Sequence, residues 1–206
     1  MNTRLLYTFI MALSTAVMIT SCGDDPIEGC TDSNAANYNP DAEVSGDCTY
    51  RGCTDPDGDT FDAINNEDDG SCTFFDLYTG EYTGPFICEG ALAALLPEAE
   101  MTVAKENSPG NTDKIKLLVS SDQTEFSLAL DGTIDNEKIT INTFLENFDI
   151  EIDLGIPIEG PFEISVTGEL ARNGEGKVKG PVSFIITQIS SGASITDNCE
   201  YDATRS

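Results

Sequence analysis

Five residues of this chain have types and spacings that could do chemistry. Cys22 directly follows a short apolar leader, at a place where a thiol can be acylated and joined to a membrane. Four carboxylates further on alternate with turn residues, so their oxygens could point at one hard cation such as Ca²⁺. They are Asp55, Asp57, Asp59 and Asp62. The sequence therefore predicts a lipidation site and a calcium site.

The leader ends in a motif typical of a lipobox. Arg4 is its only charged residue, positions 5–18 are mostly apolar, and Ile19-Thr20-Ser21 precede Cys22. Cleavage there would remove the signal peptide, residues 1–21, and leave an acidic lipidated tether at residues 22–28. An ordinary secretory signal or an uncleaved membrane helix is the alternative. The apolar run is shorter than the roughly 18 residues that a spanning helix needs, so we expect a protein held on the membrane by acyl chains.

The residues after the cysteine predict which side of the membrane the protein faces. Gly23-Asp24-Asp25 resembles the acidic export tag of surface lipoproteins of the Bacteroidota. The resemblance implies an outer-membrane protein that faces the cell exterior. The alternative is an acidic tether with no signalling role.

Composition excludes several classes of function. The chain has 10 Lys+Arg against 37 Asp+Glu, a formal charge of −27, which makes nucleic acid and anionic lipid headgroups poor partners. This acidity favours cations, although it could serve solubility alone. There is no His, so Ser-His-Asp and Cys-His catalysis and His-ligated zinc are excluded. No other catalytic motif stands out, and we expect no enzyme activity.

The remaining cysteines divide into pairs. Of seven cysteines, six remain once Cys22 is lipidated, an even number in a chain that crosses an oxidising compartment. Residues 29–50 and 52–74 are two copies of one short unit that begins and ends with a cysteine. Disulfides are expected within each copy, because units with so few apolar residues need a covalent constraint. These pairs are Cys30 with Cys48 and Cys53 with Cys72.

The two copies also resemble a known family. GCTDSNAANYNPDAEVSGDCTY and GCTDPDGDTFDAINNEDDGSCTF are similar to a cysteine-bracketed repeat of secreted Bacteroidota proteins, although neither matches it completely. The aspartate spacing of the second copy is similar to the calcium loops of thrombospondin type 3 repeats, which implies Ca²⁺ at Asp55, Asp57, Asp59 and Asp62, with Gly58 permitting the turn. The alternative is that these side chains form Asx-turns with their own backbone.

Residues 75–206 have the alternating pattern of antiparallel strands with one buried face. The predicted strands cover residues 78–88, 99–105, 114–119, 126–130, 138–141, 149–154, 162–167, 177–188 and 195–203. A helical turn is expected at 91–96, where Ala and Leu are concentrated. Cys88 and Cys199 lie in the first and last strands, so a bridge between them would join the edges of a closed meander. The predicted fold is all-β, an antiparallel up-and-down barrel of about eight strands; an open sandwich is the alternative.

The start of this domain resembles lipocalin-related, calycin-like barrels. The resemblance is carried by Tyr78-Thr79-Gly80-Glu81-Tyr82-Thr83-Gly84 and the meander after it, with Tyr82 near the position of the lipocalin tryptophan. It implies a small-ligand carrier with a hollow interior. The interior could equally be packed by inward side chains, namely Phe126, Leu128, Phe162, Ile164, Val166, Val182 and Phe184.

The combined interpretation is a non-enzymatic, lipid-anchored surface protein with a binding, accessory or structural role at the outer membrane. Its partners would be the membrane, through Cys22, and a surface protein complex. The alternative function is a lipocalin-like carrier of a small apolar ligand.

Overall fold

The chain divides into two compact units, Met1–Tyr50 and Arg51–Ser206. The first unit contains the first repeat, and the second unit contains the second repeat together with the barrel. The computed structural model describes residues 25–94, 99–121, 126–149, 152–153, 157–158 and 160–206. The predicted lipidation site at Cys22 and the start of the acidic tag lie outside the described residues. None of the described helices is long and apolar enough to cross a membrane.

The first repeat is held together by few apolar contacts and one disulfide. Strand β1 (Glu28–Gly29) pairs in parallel with β2 (Val44–Ser45). The expected bridge joins Cys30 to Cys48. Cys30 and Ala35 are its buried apolar residues among those described, so the disulfide supplies much of the constraint that a hydrophobic core would otherwise give.

The second repeat follows the same path as the first. Cys30 forms a parallel bridge with Tyr38, and Cys53 forms the equivalent bridge with Phe61, eight residues on in each case. The expected disulfide joins Cys53 to Cys72. The internal repetition is therefore structural as well as sequential.

Eight antiparallel strands form a closed barrel in the second unit. A short helix, α1 (Phe75–Tyr78), precedes it. The strands are β3 (Gly80–Gly84), its continuation β4 (Phe86–Cys88), β5 (Ala99–Lys105), β6 (Lys114–Ser121), β7 (Phe126–Ile134), β8 (Lys138–Asp149), β11 (Pro161–Arg172), β12 (Lys177–Gln188) and β13 (Ser194–Arg205). Strands β9 (Ile152–Asp153) and β10 (Pro157–Ile158) form a separate antiparallel pair.

The last strand closes the barrel. One edge of β13 pairs with β12, and its other edge pairs with β3 and β4, which place Thr83 opposite Thr204 and Cys88 opposite Cys199. The expected Cys88–Cys199 disulfide lies across this junction. At Gly84, an added Cβ would lie 2.2 Å from the backbone oxygen of Asp202, so the corner between β3 and β4 requires glycine.

The alternating pattern of the strands places one row of side chains inside the barrel. The predicted inward residues Leu128, Phe162, Ile164, Val166, Val182 and Phe184 are all buried, whereas the side chain of Phe126 lies outside the described residues. Phe86 stacks on Tyr201 with ring centroids 4.1 Å apart and meets Phe184 edge-on at 6.4 Å. Large aromatic side chains therefore occupy part of the interior.

Several local features differ from the predicted elements, including β7 and β11, which extend past their predicted ends to Ile134 and Arg172. Residues 75–78 form α1, whereas the first strand was expected to begin at Tyr78. Strand β8 continues to Asp149, because it pairs with β11 along most of its length. Of the strand expected at 149–154, residues 150–151 and 154 lie outside the described residues. The expected helical turn is a 3₁₀ turn at Ala91–Ala94, and residues 95–96 of that prediction lie outside the described residues.

Candidate functional site

The predicted calcium residues lie in the second repeat, and Asp55 is the first of them. Its Oδ1 accepts a hydrogen bond from the backbone N–H of Asp57 at 2.9 Å, which is an Asx-turn. Its Oδ2 accepts from Nδ2 of Asn136 at 2.6 Å. Because Asn136 lies in the turn between β7 and β8, Asp55 connects the repeat to the barrel.

The first repeat shows how that connection arises. Oδ1 of Asp32, the residue equivalent to Asp55, accepts from the backbone N–H of Asn34 at 2.9 Å, and its Oδ2 accepts from the Tyr50 hydroxyl at 2.7 Å. The Asn34 hydrogen bond first, and then that of Tyr50, hold the pKa of Asp32 below its usual range. Phe74 stands where Tyr50 would be and has no hydroxyl. Oδ2 of Asp55 is therefore left for a partner on the barrel.

Asp57 forms an ion pair with the barrel. Its Oδ2 lies 3.0 Å from Nη1 of Arg172, the last residue of β11. The same nitrogen donates to the backbone oxygen of Asn136 at 3.2 Å and to its Oδ1 at 3.1 Å. Arg172 thus joins the repeat to the turn between β7 and β8.

Asp59 caps the short helix. Its Oδ2 accepts from the backbone N–H of Phe75 at 2.7 Å, and its Oδ1 accepts from the backbone N–H of Asp76 at 3.1 Å. The hydroxyl of Thr73 also donates to Oδ2, at 3.1 Å. A carboxylate at this position satisfies N–H groups that have no partner inside the helix, so Asp59 fixes where α1 begins.

The carboxylate of Asp62 makes a local bond, in which its Oδ1 accepts from the backbone N–H of Ile64 at 3.1 Å. The predicted calcium residues thus have separate partners: Asn136, Arg172, the N-terminus of α1 and a local turn. Within the part of the chain that the structure describes, no three acidic, His or Cys side chains are grouped to hold a metal ion. In this arrangement the four carboxylates do not fit one calcium ion, and calcium binding there stays a prediction.

Gly58 is required for space. An added Cβ would lie 2.7 Å from Sγ of Cys53 and 3.2 Å from the backbone oxygen of Asp55. The sequence predicted that this glycine permits the turn, and the reason is close approach to the disulfide.

Arg205 holds α1 against the barrel. Its Nη1 donates to the backbone oxygens of Asp76 at 2.9 Å, Leu77 at 3.2 Å and Thr79 at 3.4 Å. These carbonyls lie at the C-terminal side of α1, where a cation is favourable. We call the end of the barrel that carries α1, the end of β11 and the end of β13 the α1 end.

A cavity of about 410 Å³ opens at the α1 end. Tyr78, Tyr82, Arg172, Lys177 and Arg205 are among the residues that line it. The hydroxyls of Tyr78 and Tyr82 are buried and have no hydrogen-bond partner among the described protein atoms. Burial raises the pKa of both tyrosines, so these hydroxyls stay protonated.

The sequence did not single out the barrel residues that hold the repeat. Asn136 lies 81 positions after Asp55 and Arg172 lies 115 positions after Asp57, and their contacts depend on how the barrel brings strand ends together. One signal was available: with 10 Lys+Arg against 37 Asp+Glu, each cation is a strong candidate partner for an aspartate.

Comparisons with known proteins find no match, so the protein is classified by its fold alone. A scan of the chain against protein-family models finds no match, and searches of curated proteins and of solved structures find no significant similarity. The class is an all-β protein with an eight-stranded antiparallel closed barrel, consistent with a calycin-like architecture, and with three disulfides.

Proposed function

We propose that this protein is a non-enzymatic, lipid-anchored protein of the bacterial outer membrane that presents a barrel at the cell surface as a binding module. The observation that carries the proposal is Cys22 directly after a short apolar segment, followed by Asp24 and Asp25 and by domains with three disulfides. Disulfides are typical of chains that mature outside the cytosol. The resemblance to Bacteroidota surface lipoproteins supports the same address.

The arrangement of the second unit supports a role for the outer surface of the barrel. The chain enters this unit through the second repeat, which Asn136 and Arg172 hold at the α1 end. Phe86, Phe184 and Tyr201 occupy part of the interior, which favours binding on the outer surface over carriage of an apolar ligand inside.

Replacement of the lipidation residue tests the anchor. Cys22→Ser should release the protein from the membrane fraction or leave an uncleaved precursor, because the acylated thiol is then absent. The matched control is Cys53→Ser with Cys72→Ser, which removes two cysteines and should leave the protein in the membrane fraction. A Cys22→Ser protein that is still cleaved after Ser21 and stays membrane-bound would contradict the proposal.

Protease treatment of intact cells tests the surface location. Asp24→Lys with Asp25→Lys should reduce cleavage of the protein from outside, since the acidic tag is reversed in charge. Unchanged cleavage by external protease would contradict the role of the tag. Loss of Cys22 and reversal of the tag have different readouts, so each can fail separately.

A further inference from the structure

The wall of the barrel is incompletely paired between β7 and β8. Among the described residues, these strands pair only where Gly132, Thr133 and Ile134 meet Ile141, Thr140 and Ile139. Beyond this point β7 continues to pair with β6, and β8 continues to pair with β11. Among the described residues, 127–130 of β7 and 142–145 of β8 therefore have no strand partner on their facing edges. We call these two edges the open seam.

A side chain ends the pairing between the two strands. The backbone N–H of Asp131 donates to Oγ1 of Thr143 at 2.6 Å, and this hydroxyl donates in turn to the backbone oxygen of Asp131 at 3.0 Å. Thr143 is 3% exposed. Its hydroxyl takes both hydrogen bonds that a facing strand residue would have made, so the ladder cannot continue past it.

Backbone alternation shows which groups face the open seam. The β6–β7 register is regular, and the β8–β11 register is regular as far as Leu145. In a regular strand the backbone groups point to alternate edges. The N–H and C=O groups of Ser127 and Ala129 therefore point the same way as those of Asp131, into the seam. By the same rule, those of Asn142 and Phe144 point into it from the other side.

An exposed aromatic residue borders these free backbone groups. Phe144 is 57% exposed and lies beside Ser165, which in turn neighbours Ile185 on the outer face of the sheet. A large apolar side chain next to an unpaired strand edge is the surface that strand addition uses, with backbone hydrogen bonds giving affinity and side-chain contacts giving selectivity.

Charge identifies the kind of segment that fits. Every lysine and arginine after residue 75 lies at the α1 end of the barrel. Each is either one of the first three residues of its strand or the last residue of its strand. These residues are Lys105, Lys114, Lys116, Lys138, Arg172, Lys177, Lys179 and Arg205. The remaining wall has only acidic charges, and Glu146 follows Phe144 on β8 two positions on. This field attracts a cationic partner and repels an acidic one.

We propose that the open seam binds an extended basic segment of a partner protein by strand addition. The segment pairs its backbone with Ser127 and Ala129 or with Asn142 and Phe144, packs an apolar side chain on Phe144, and directs lysine or arginine towards Glu146. This inference rests on the binding role proposed above and is independent of the lipid anchor.

Three synthetic peptides test the proposal on the mature chain. The probe is an eight-residue alternating Lys-Val peptide; the comparisons are the matching Glu-Val peptide and a Lys-Val peptide N-methylated at alternate amides. Backbone NMR should show saturable shifts at Ser127, Ala129, Asn142 and Phe144 with the first peptide. Loss of two or more backbone hydrogen bonds should weaken the N-methylated peptide by about tenfold or more, and the acidic peptide should not bind.

Two variants locate the site. Phe144→Ser should weaken binding, and the matched control Ile87→Ser, which changes a residue that is 63% exposed on β4, should not. Ala129→Pro removes an N–H that faces the seam and leaves the β6 ladder intact, so it should also weaken binding. Shifts spread over the acidic surface, equal binding of the N-methylated peptide, or no saturable response would overturn the proposal. Failure of these tests leaves the anchoring experiments with Cys22 unaffected.

Discussion

Oδ2 of Asp57 lies 3.0 Å from Nη1 of Arg172, a residue 115 positions further along the chain. This contact, with the hydrogen bond from Asn136 to Asp55, places the second repeat at the α1 end of the barrel. The second repeat therefore contacts the barrel through Asp55, which matches Asp32 of the first repeat, and through Asp57, which stands where the first repeat has Asn34. Calcium loops and contacts between structural units both need carboxylate oxygens held in tight turns. The same aspartate pattern can therefore serve either purpose.

A double-mutant cycle should detect the ion pair between the second repeat and the barrel. Asp57→Asn and Arg172→Gln should each lower the free energy of unfolding, and their coupling should be about 0.2–1 kcal/mol because the pair is partly exposed. Urea unfolding of the two single variants and the double variant gives the coupling. The Lys138–Glu169 pair, which joins two barrel strands, is the matched control.

Limited proteolysis should cut the second repeat faster in the Asp57 and Arg172 variants only. Equal proteolysis of all variants would mean that the ion pair does not hold the repeat.

Calcium binding at the four aspartates is a separate prediction. It requires that carboxylates of the second repeat leave their present partners. Asp57 would have to leave Arg172, and Asp59 would have to leave the backbone N–H groups of Phe75 and Asp76. Any affinity should then be weak, at about 10⁻⁴ to 10⁻³ M or poorer, as in extracellular calcium modules. The NMR signals of the Phe75 and Asp76 amides should move with the titration, and Asp57→Asn with Asp59→Asn should abolish the response.

Magnesium is the control for that titration, because it holds its waters and tolerates irregular geometry poorly. An unsaturable drift with either ion would contradict calcium binding and leave the aspartates as structural residues. Without added calcium, Asp62→Asn should leave the amide signals of Phe75 and Asp76 in place, because the Asp62 carboxylate accepts from the N–H of Ile64 and not from α1.

The barrel could be predicted from the sequence because its signals are local or covalent. Alternation along β11 and β12 identifies the buried face, as the burial of Ile164 and Val182 confirms. Cys88 and Cys199 lie in the first and last strands, and their bridge is consistent with closure. These signals do not depend on knowing how distant loops meet.

The contacts between the second repeat and the barrel, and the open seam, could not be predicted in the same way. The partners of Asp57 and Asp55 lie at strand ends, whose positions depend on the register of the whole barrel. In the sequence, Thr143 looks like any other inward residue of a strand. Its hydroxyl ends the β7–β8 pairing only because β7 places the backbone of Asp131 next to it. Buried Asp197 likewise accepts from the N–H groups of Gly90 and Leu92, more than 100 residues away in sequence.

The disulfide that crosses the barrel junction should contribute measurably to stability. Cys88 and Cys199 are separated by 111 residues, so their bridge closes a long loop of the unfolded chain. Cys88→Ala with Cys199→Ala should lower the free energy of unfolding by about 2–5 kcal/mol. The matched control is Cys53→Ala with Cys72→Ala, which opens a loop with a separation of 19 residues. If thermal unfolding of the barrel is unchanged by the first pair, strand pairing alone closes it.

The buried tyrosines should make the protein sensitive to alkali. Burial raises the pKa of Tyr78, Tyr82 and Tyr201 in the folded state, whereas in the unfolded chain a tyrosine loses its proton near pH 10. Below about pH 10 both states are protonated, and the stabilising effect of the raised pKa is fully present. As the pH rises above that value, the unfolded state releases protons first. The free energy of unfolding should then fall by about 1.4 kcal/mol per pH unit for each such tyrosine.

Tyr78→Phe separates the cost of the buried hydroxyl from its titration. The Tyr78 hydroxyl has no hydrogen-bond partner among the described protein atoms, so its removal at neutral pH should leave the stability unchanged or raise it by about 1–3 kcal/mol. Above pH 10 the variant should lose stability less steeply, by about 1.4 kcal/mol per pH unit, because one titrating group is gone. Denaturant unfolding between pH 7 and about pH 11.5 measures both effects. Tyr38→Phe, at an exposed position in the first unit, is the control. A destabilised Tyr78→Phe protein at neutral pH would show that the hydroxyl has a partner, such as a bound water, in the cavity at the α1 end.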